Sequence, residues 1–130
     1  MMNDRFKFRA WHKEAREMVE VESVYPYQDE STQGGEIFIE GFECSFYFPE
    51  ECELMQCTGL KDKNGKLIYE GDIVKDDHEA LHFVKWCYNG FQLEPLFENG
   101  YTIGIVDDEI EVIGNIYENP KLLQECKRWK

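Results

Sequence analysis

The stretch 76-DDHEALHF-83 sets His78 and His82 four residues apart, beside Asp76 and Asp77. Two imidazoles and adjacent carboxylates are donors for a divalent cation when a fold brings a full coordination set together. No third imidazole or thiolate is spaced to complete this set, and the stretch lies between strand-like runs, so it predicts a polar loop. Two carboxylate runs, Asp107, Asp108, Glu109 and Glu111, and Glu50, Glu51 and Glu53, raise acid–base chemistry. That chemistry needs carboxyls in a desolvated cleft with their pKa values pushed apart. Nothing marks such a cleft, and the runs read as solvated turns. An enzyme would have to gather some of His78, His82, Asp107 and Glu109 in one cleft.

The five cysteines, Cys44, Cys52, Cys57, Cys87 and Cys126, are odd in number and include no CxxC pair. Neither a zinc knuckle nor a redox motif is spelled out, and in a reducing cytosol the default is a small buried apolar residue. Gly71, Gly100, Gly104 and Gly114 stand alone as turn or strand glycines, and no phosphate-cradling glycine string occurs. No catalytic, metal-binding or cofactor-binding residue is assigned, and the expectation is a non-enzymatic protein without cofactors.

What remains is surface. In RFKFRAW the residues Arg5, Lys7 and Arg9 alternate with Phe6, Phe8 and Ala10, which predicts a half-buried strand with a basic outer face. Trp86, Tyr88 and Phe91 flank a turn at Asn89-Gly90 and form a candidate aromatic patch, with at least one of them in the core. These six residues (Arg5, Lys7, Arg9, Trp86, Tyr88, Phe91) make up the candidate interaction surface.

The charge pattern sorts the partners. Net charge is -13, and no Lys or Arg occurs between Arg16 and Lys61, nor between Lys85 and Lys121. Nucleic-acid affinity rests on phosphate neutralisation, so direct nucleic-acid binding is disfavoured. The base-free acidic stretches instead permit an acidic, DNA-mimic-like binder of a host DNA-binding protein. With 42% hydrophobic and 15% aromatic residues among 130, the chain predicts one domain with a small real core. No apolar run approaches membrane length and the start lacks a leader pattern, which predicts a soluble cytoplasmic protein without membrane contact.

The elements that must position these residues are strands. Asn64-Gly65 predicts a two-residue type I′ hairpin turn, with strands ending near Lys63 and starting near Lys66. Glu70-Gly71-Asp72 predicts a second tight turn, of a kind that small barrels use to send two strands apart. Runs around Ile73, Val84, Leu93, Ile103 and Val112 supply five strands, enough for a small barrel. Upstream, 36-EIFIEGFECSFYF-48 is strand-like but changes phase at Gly41, which predicts a bulge or bend. The stretch 26-PYQDESTQGG-35 predicts a mobile loop. Asn119 and Pro120 predict the N-cap and first residue of a short terminal helix.

Three blocks, FKFRAW, LMQCTGLKDKNGKLIYEGDIV and EVIGNIYENPKLL, resemble the YopX family of phage and prophage proteins, in that family's order. The resemblance implies a mainly β protein with a small SH3-like barrel in the C-terminal half, additional N-terminal strands and a short C-terminal helix. It implies a single domain over 1–130, divided into N-terminal strands and loop (1–55), barrel (56–118) and helix (119–130). It further implies a phage-encoded accessory protein and a homo-oligomer, and it carries no known activity. His12 and Cys57 depart from the family's usual acidic and aromatic residues, and 17–53 matches least. The leading expectation is thus an oligomeric interaction module engaging a host or phage protein. The acidic mimic is the alternative, and a small metal- or carboxylate-dependent hydrolase stands behind it.

Overall fold

The structure is a computed structural model and describes residues 7–27, 34–39, 41, 45–87, 90–97, 100–105 and 109–127. Two antiparallel sheets and one short helix make up the described residues, and the chain divides into two compact units, with the boundary between Gln56 and Cys57.

In the first unit, strands β1 (Phe8–His12), β2 (Glu17–Pro26), β3 (Gly35–Ile39), β4 (Ser45–Phe48) and the start of β5 (Cys52–Lys61) are ordered β4-β3-β2-β1-β5. The turn closing β1 on β2 is tight: the Arg16 amide donates to the His12 carbonyl at 2.7 Å, and the Ala15 amide to His12 Nδ1 at 3.1 Å. Alternation along each strand sends one set of side chains inward. Ala10, Ile37 and Cys52 are buried together, with Val19, Val21, Val24, Phe46, Phe48 and Leu54 packed around them. Each large aliphatic side chain so buried contributes about 1.5–3 kcal/mol.

One expectation is corrected in this unit and another is narrowed. Arg9 does not lie on a solvated face: it is 8% exposed. β1 is a central strand, and Arg9 lies in register between Glu20 of β2 and Met55 of β5, itself buried on the same face, so that face is covered where Arg9 stands. Of the bulge or bend expected at Gly41 the structure shows the bend, a reversal between two strands, since β3 and β4 pair antiparallel through Ile37↔Phe46. Gly41 adopts φ +84°, a backbone region that glycine enters without steric cost.

In the second unit, β7 (Asp72–Lys75), β8 (Leu81–Cys87), β9 (Gly90–Pro95), β10 (Ile103–Gly104) and β11 (Glu111–Asn115) form a sheet ordered β10-β9-β8-β7-β11. These are the five strands expected around Ile103, Leu93, Val84, Ile73 and Val112. The rest of β5 pairs with β6 (Leu67–Tyr69), and β6 and β7, though consecutive, do not pair with each other. Gly71, at φ +87°, turns the chain between them, as Glu70-Gly71-Asp72 predicts. Ile68, Val74, Val84, Leu93, Ile110 and Val112 are buried in one cluster, so β6 contributes to the core that the five-stranded sheet covers. Among the described residues, strand pairing does not close into a ring.

The hairpin turn differs from expectation. The Gly65 amide donates to the Asp62 carbonyl at 2.9 Å and the Asp62 amide to the Lys66 carbonyl at 2.8 Å. Gly65 has φ +84° and Asn64 keeps a negative φ, so this is a longer loop with left-handed Gly65, not a two-residue type I′ turn. The Asp62 carboxylate explains the choice, because it accepts the amides of Asn64 and Lys66 and rewards the longer loop.

Helix α1 spans Pro120–Lys127 and starts at the expected proline. Asn119 takes the expected N-cap position just before Pro120, but its side chain does not cap a helix amide. Its side-chain oxygen accepts the Asn115 amide at 3.1 Å, while its carbonyl accepts the Leu122 amide. Among the described residues, no helix is long and apolar enough to cross a membrane.

Candidate functional site

The register of the first unit builds a row that the sequence alone does not show. Tyr25 of β2 pairs with Glu36 of β3, and Glu36 pairs with Tyr47 of β4. Directly paired residues share a face, so Tyr25, Glu36 and Tyr47 stand side by side opposite the Ile37 core face. Phe38 and Ser45 lie in the next row, where Phe38 meets the Tyr25 ring edge-on at 5.5 Å. The Ser45 hydroxyl donates to Glu36 Oε2 at 2.9 Å.

Tyr27 continues this surface beyond β2, where its amide donates to the Gly34 carbonyl at 3.0 Å. The turn from β4 to β5 folds back on Tyr47 from the other side. The Glu51 amide donates to the Tyr47 carbonyl at 2.8 Å, and the Tyr47 amide donates to Glu51 Oε1 at 3.1 Å. Tyr27, Tyr47, Glu50 and Glu51 thereby line an open, shallow cavity of about 270 Å³. The Tyr27 phenol is pushed up, first by partial desolvation, then by the negative charge of Glu50, with Tyr47 and Glu36 adding to it. The Lys13 ammonium is engaged elsewhere on this turn, with the Pro49 carbonyl at 2.6 Å and Glu53 at 3.2 Å.

Of the predicted interaction surface, Arg5 and Tyr88 lie outside the described residues, Lys7 is exposed and Arg9 is buried. Trp86 is 53% exposed and pairs across the β8–β9 hairpin with Phe91, the rings meeting edge-on at 4.9 Å. Phe91 is half-buried against the core cluster, so the hairpin gives one core aromatic and one surface aromatic.

The two histidines separate. His78 is exposed, whereas His82 is 3% exposed and bonds through Nε2 to Asp76 Oδ2 at 2.9 Å. Phe97 lies edge-on to the His82 ring at 5.4 Å. Burial pushes the Asp76 carboxyl up, but the His82 bond and the Ala80 and His78 amides outweigh it and hold the carboxyl below its usual range. Asp76 is therefore the organiser of the β7–β8 loop. Glu109 is exposed, and Asp107 and Asp108 lie outside the described residues. Among the described residues, no three His, Cys, Asp or Glu side chains converge as a metal set. Cys52 and Cys57 are buried thiols outside any disulfide, as expected, and burial with Glu51 and Glu53 nearby pushes Cys52 up to about 11.

Sequence reasoning missed Tyr25, Tyr27, Tyr47 and Glu36. The alternation of Glu36 and Phe38 with Ile37 and Ile39 indicates an outward face. Which residues share that face depends on a three-strand register that no turn motif in 26–50 specifies.

A mainly β chain of two antiparallel sheets, with an aromatic and acidic outer face and a short terminal helix, is the class these features define. The YopX protein family model matches residues 7–124, and the chain belongs to the YopX family. The crystal structure of protein EF1440 from Enterococcus faecalis is similar, with a TM-score of 0.63 and 32% identity over 90% of this chain and 96% of that one. No curated protein matches the chain.

Proposed function

We propose that this YopX-family chain is a non-enzymatic, phage- or prophage-encoded interaction module that works as a homo-oligomer, with its second unit a small SH3-like barrel. The barrel reading rests on Ile68 of β6 packing with the face of the five-stranded sheet, and on the turn at Gly71 that sends β6 and β7 apart. The observation that carries the functional reading is Trp86. It lies two residues from Val84 on β8, hence on the same sheet face, yet Val84 is in the core and Trp86 is largely exposed. Ile103, paired with buried Leu93, is likewise exposed, and its strand β10 is a two-residue sheet edge.

An apolar face that outruns its own core at a sheet edge fits a second copy of the chain. Self-association of a chain carrying -13 charges opposes its own repulsion, so screening by salt strengthens it. Light scattering over a wide concentration range, at low and at physiological salt, tests the proposal. An oligomer that strengthens with salt and is weakened at least tenfold by Trp86→Ser supports it; a monomer under both conditions overturns it.

A further inference from the structure

We propose that the cavity between Tyr27, Tyr47, Glu50 and Glu51 binds a cationic side chain, lysine or arginine, carried by an exposed basic segment of a partner protein. This site lies in the first unit and is independent of the self-association assigned to Trp86.

Four properties point to that ligand. Two tyrosines and two glutamates line the cavity, and no basic side chain is among them. Aromatic faces attract a cation through their quadrupole, and carboxylates supply the countercharge. An anion would meet repulsion from the two carboxylates, with no basic side chain in the lining to offset it. The negative field adds to desolvation at the site, since Glu50 and, more weakly, Glu36 also raise the Tyr27 phenol.

The backbone that carries the lining is held in place before any ligand arrives. Tyr47 is bonded to Glu51 through both its amide and its carbonyl, and Tyr27 is tied to Gly34 through its amide. Ordering on binding is thus confined to the side chains. The Lys13 ammonium, which would otherwise be a competing occupant, is satisfied by Pro49 and Glu53.

The cavity is open and small, about 270 Å³, below the usual range for a small-molecule pocket. It covers the end of one side chain and leaves the rest of its ligand outside. A free amine gains too little from such a site, whereas a polypeptide adds contacts beyond it. The exposed Tyr25 and its neighbour Glu36, in the same row as Tyr47, supply such contacts for an extended chain. The sequence from 17 to 60 adds no base of its own to these surroundings, and the Lys13 ammonium, engaged on the same turn, is paired with Glu53.

The probe is a fluorescent hexalysine peptide titrated by anisotropy at fixed ionic strength. Tyr27→Leu with Tyr47→Leu keeps charge and apolar area but removes the rings, and is expected to weaken binding about fivefold or more. Glu50→Gln with Glu51→Gln should weaken it at least as much. Glu14→Gln with Glu22→Gln removes the same charge from exposed positions of the same unit and should stay within about twofold of the parent, as short-range contacts outweigh screened ones. Tyr27→Phe with Tyr47→Phe retains the rings, should also bind within about twofold, and guards against a folding defect in the leucine variant. Equal losses in both glutamine pairs, or unchanged binding in the leucine variant, overturn the proposal.

Discussion

The Asp62 carboxylate in the β5–β6 loop accepts the backbone amide of Val112, fifty residues further along the chain, at 2.8 Å through Oδ2. Its other oxygen accepts the amides of Asn64 and Lys66, each at 2.9 Å. The Lys63 amide donates to the Ile110 carbonyl at 3.0 Å, so the loop and the start of β11 are joined at two points. One buried carboxylate thus shapes the hairpin and holds it to a strand distant in sequence.

Replacing Asp62 tests this hub. A carboxamide at this position could accept through only one oxygen and would turn an NH₂ group toward an amide donor, so Asp62→Asn is expected to lose about 1–3 kcal/mol. Burial raises the Asp62 carboxyl, but the three amides outweigh it and leave it below the usual range. A folded-state pKa below the unfolded one means stability present above the unfolded value, near 3.9, and lost as pH falls through the folded value. Urea midpoints from pH 7 down to pH 3 should show a shallower acid limb in Asp62→Asn than in the parent. Identical limbs would show that the carboxylate's charge is not what the amides require.

The Asp76–His82 pair gives a second prediction. An ionised carboxylate only accepts, so the ring nitrogen facing Asp76 at 2.9 Å must carry the proton. His82 is therefore expected to hold its proton on Nε2, visible in long-range nitrogen–proton correlation spectra. Asp76→Ala leaves the amides of His78 and Ala80 and the buried ring without their acceptor, at an expected loss of about 1–3 kcal/mol. A ring protonated on Nδ1 alone contradicts this geometry.

The strands were legible where turn chemistry brackets them. Glu70-Gly71-Asp72 and Pro120 mark boundaries that the fold keeps, because glycine at positive φ and proline at a helix start are local requirements. Asn64-Gly65 misled on the turn type because Asp62, two residues earlier, offers a better-bonded loop. Arg9 misled because alternation reports which residues share a face, and not whether both faces of a central strand are covered. The Tyr25–Glu36–Tyr47 row was illegible for a related reason: it exists only once three strands are in register, and its residues look unremarkable one at a time.

Cys52 supplies a prediction at alkaline pH. Its buried thiol, with Sγ 3.7 Å from the Tyr47 carbonyl, is raised from 9.0 to about 11 by burial first and by Glu51 and Glu53 next. The folded state keeps the thiol neutral, while the unfolded chain ionises it from about pH 9. Its contribution is therefore fully present below pH 9 and is lost as pH rises toward 11. The drop in urea midpoint between pH 8 and pH 10.5 should be smaller in Cys52→Ala than in the parent, whatever the cost of the cavity at pH 8. Iodoacetamide should modify Cys52 slowly in the native protein at pH 8 and readily in urea.

Two glycines at positive φ separate backbone strain from steric collision. Gly34 has φ +113°, and a Cβ there would overlap the Phe48 carbonyl oxygen and crowd Pro49 Cδ at 2.9 Å. Gly65 has φ +84° and open space around it. Gly65→Ala is expected to cost about 1 kcal/mol, the price of placing an ordinary residue in the left-handed region. Gly34→Ala carries that cost and must also displace the backbone that joins β3 to the end of β4, for an expected total above about 2 kcal/mol. It should also disturb the Tyr27 amide bond to the Gly34 carbonyl, and with it the tyrosine and glutamate cavity. Urea denaturation of both variants, with hexalysine titration of Gly34→Ala where it remains folded, reads the two effects separately. Equal stability losses at the two positions would mean that the collision at Gly34 is relieved without cost.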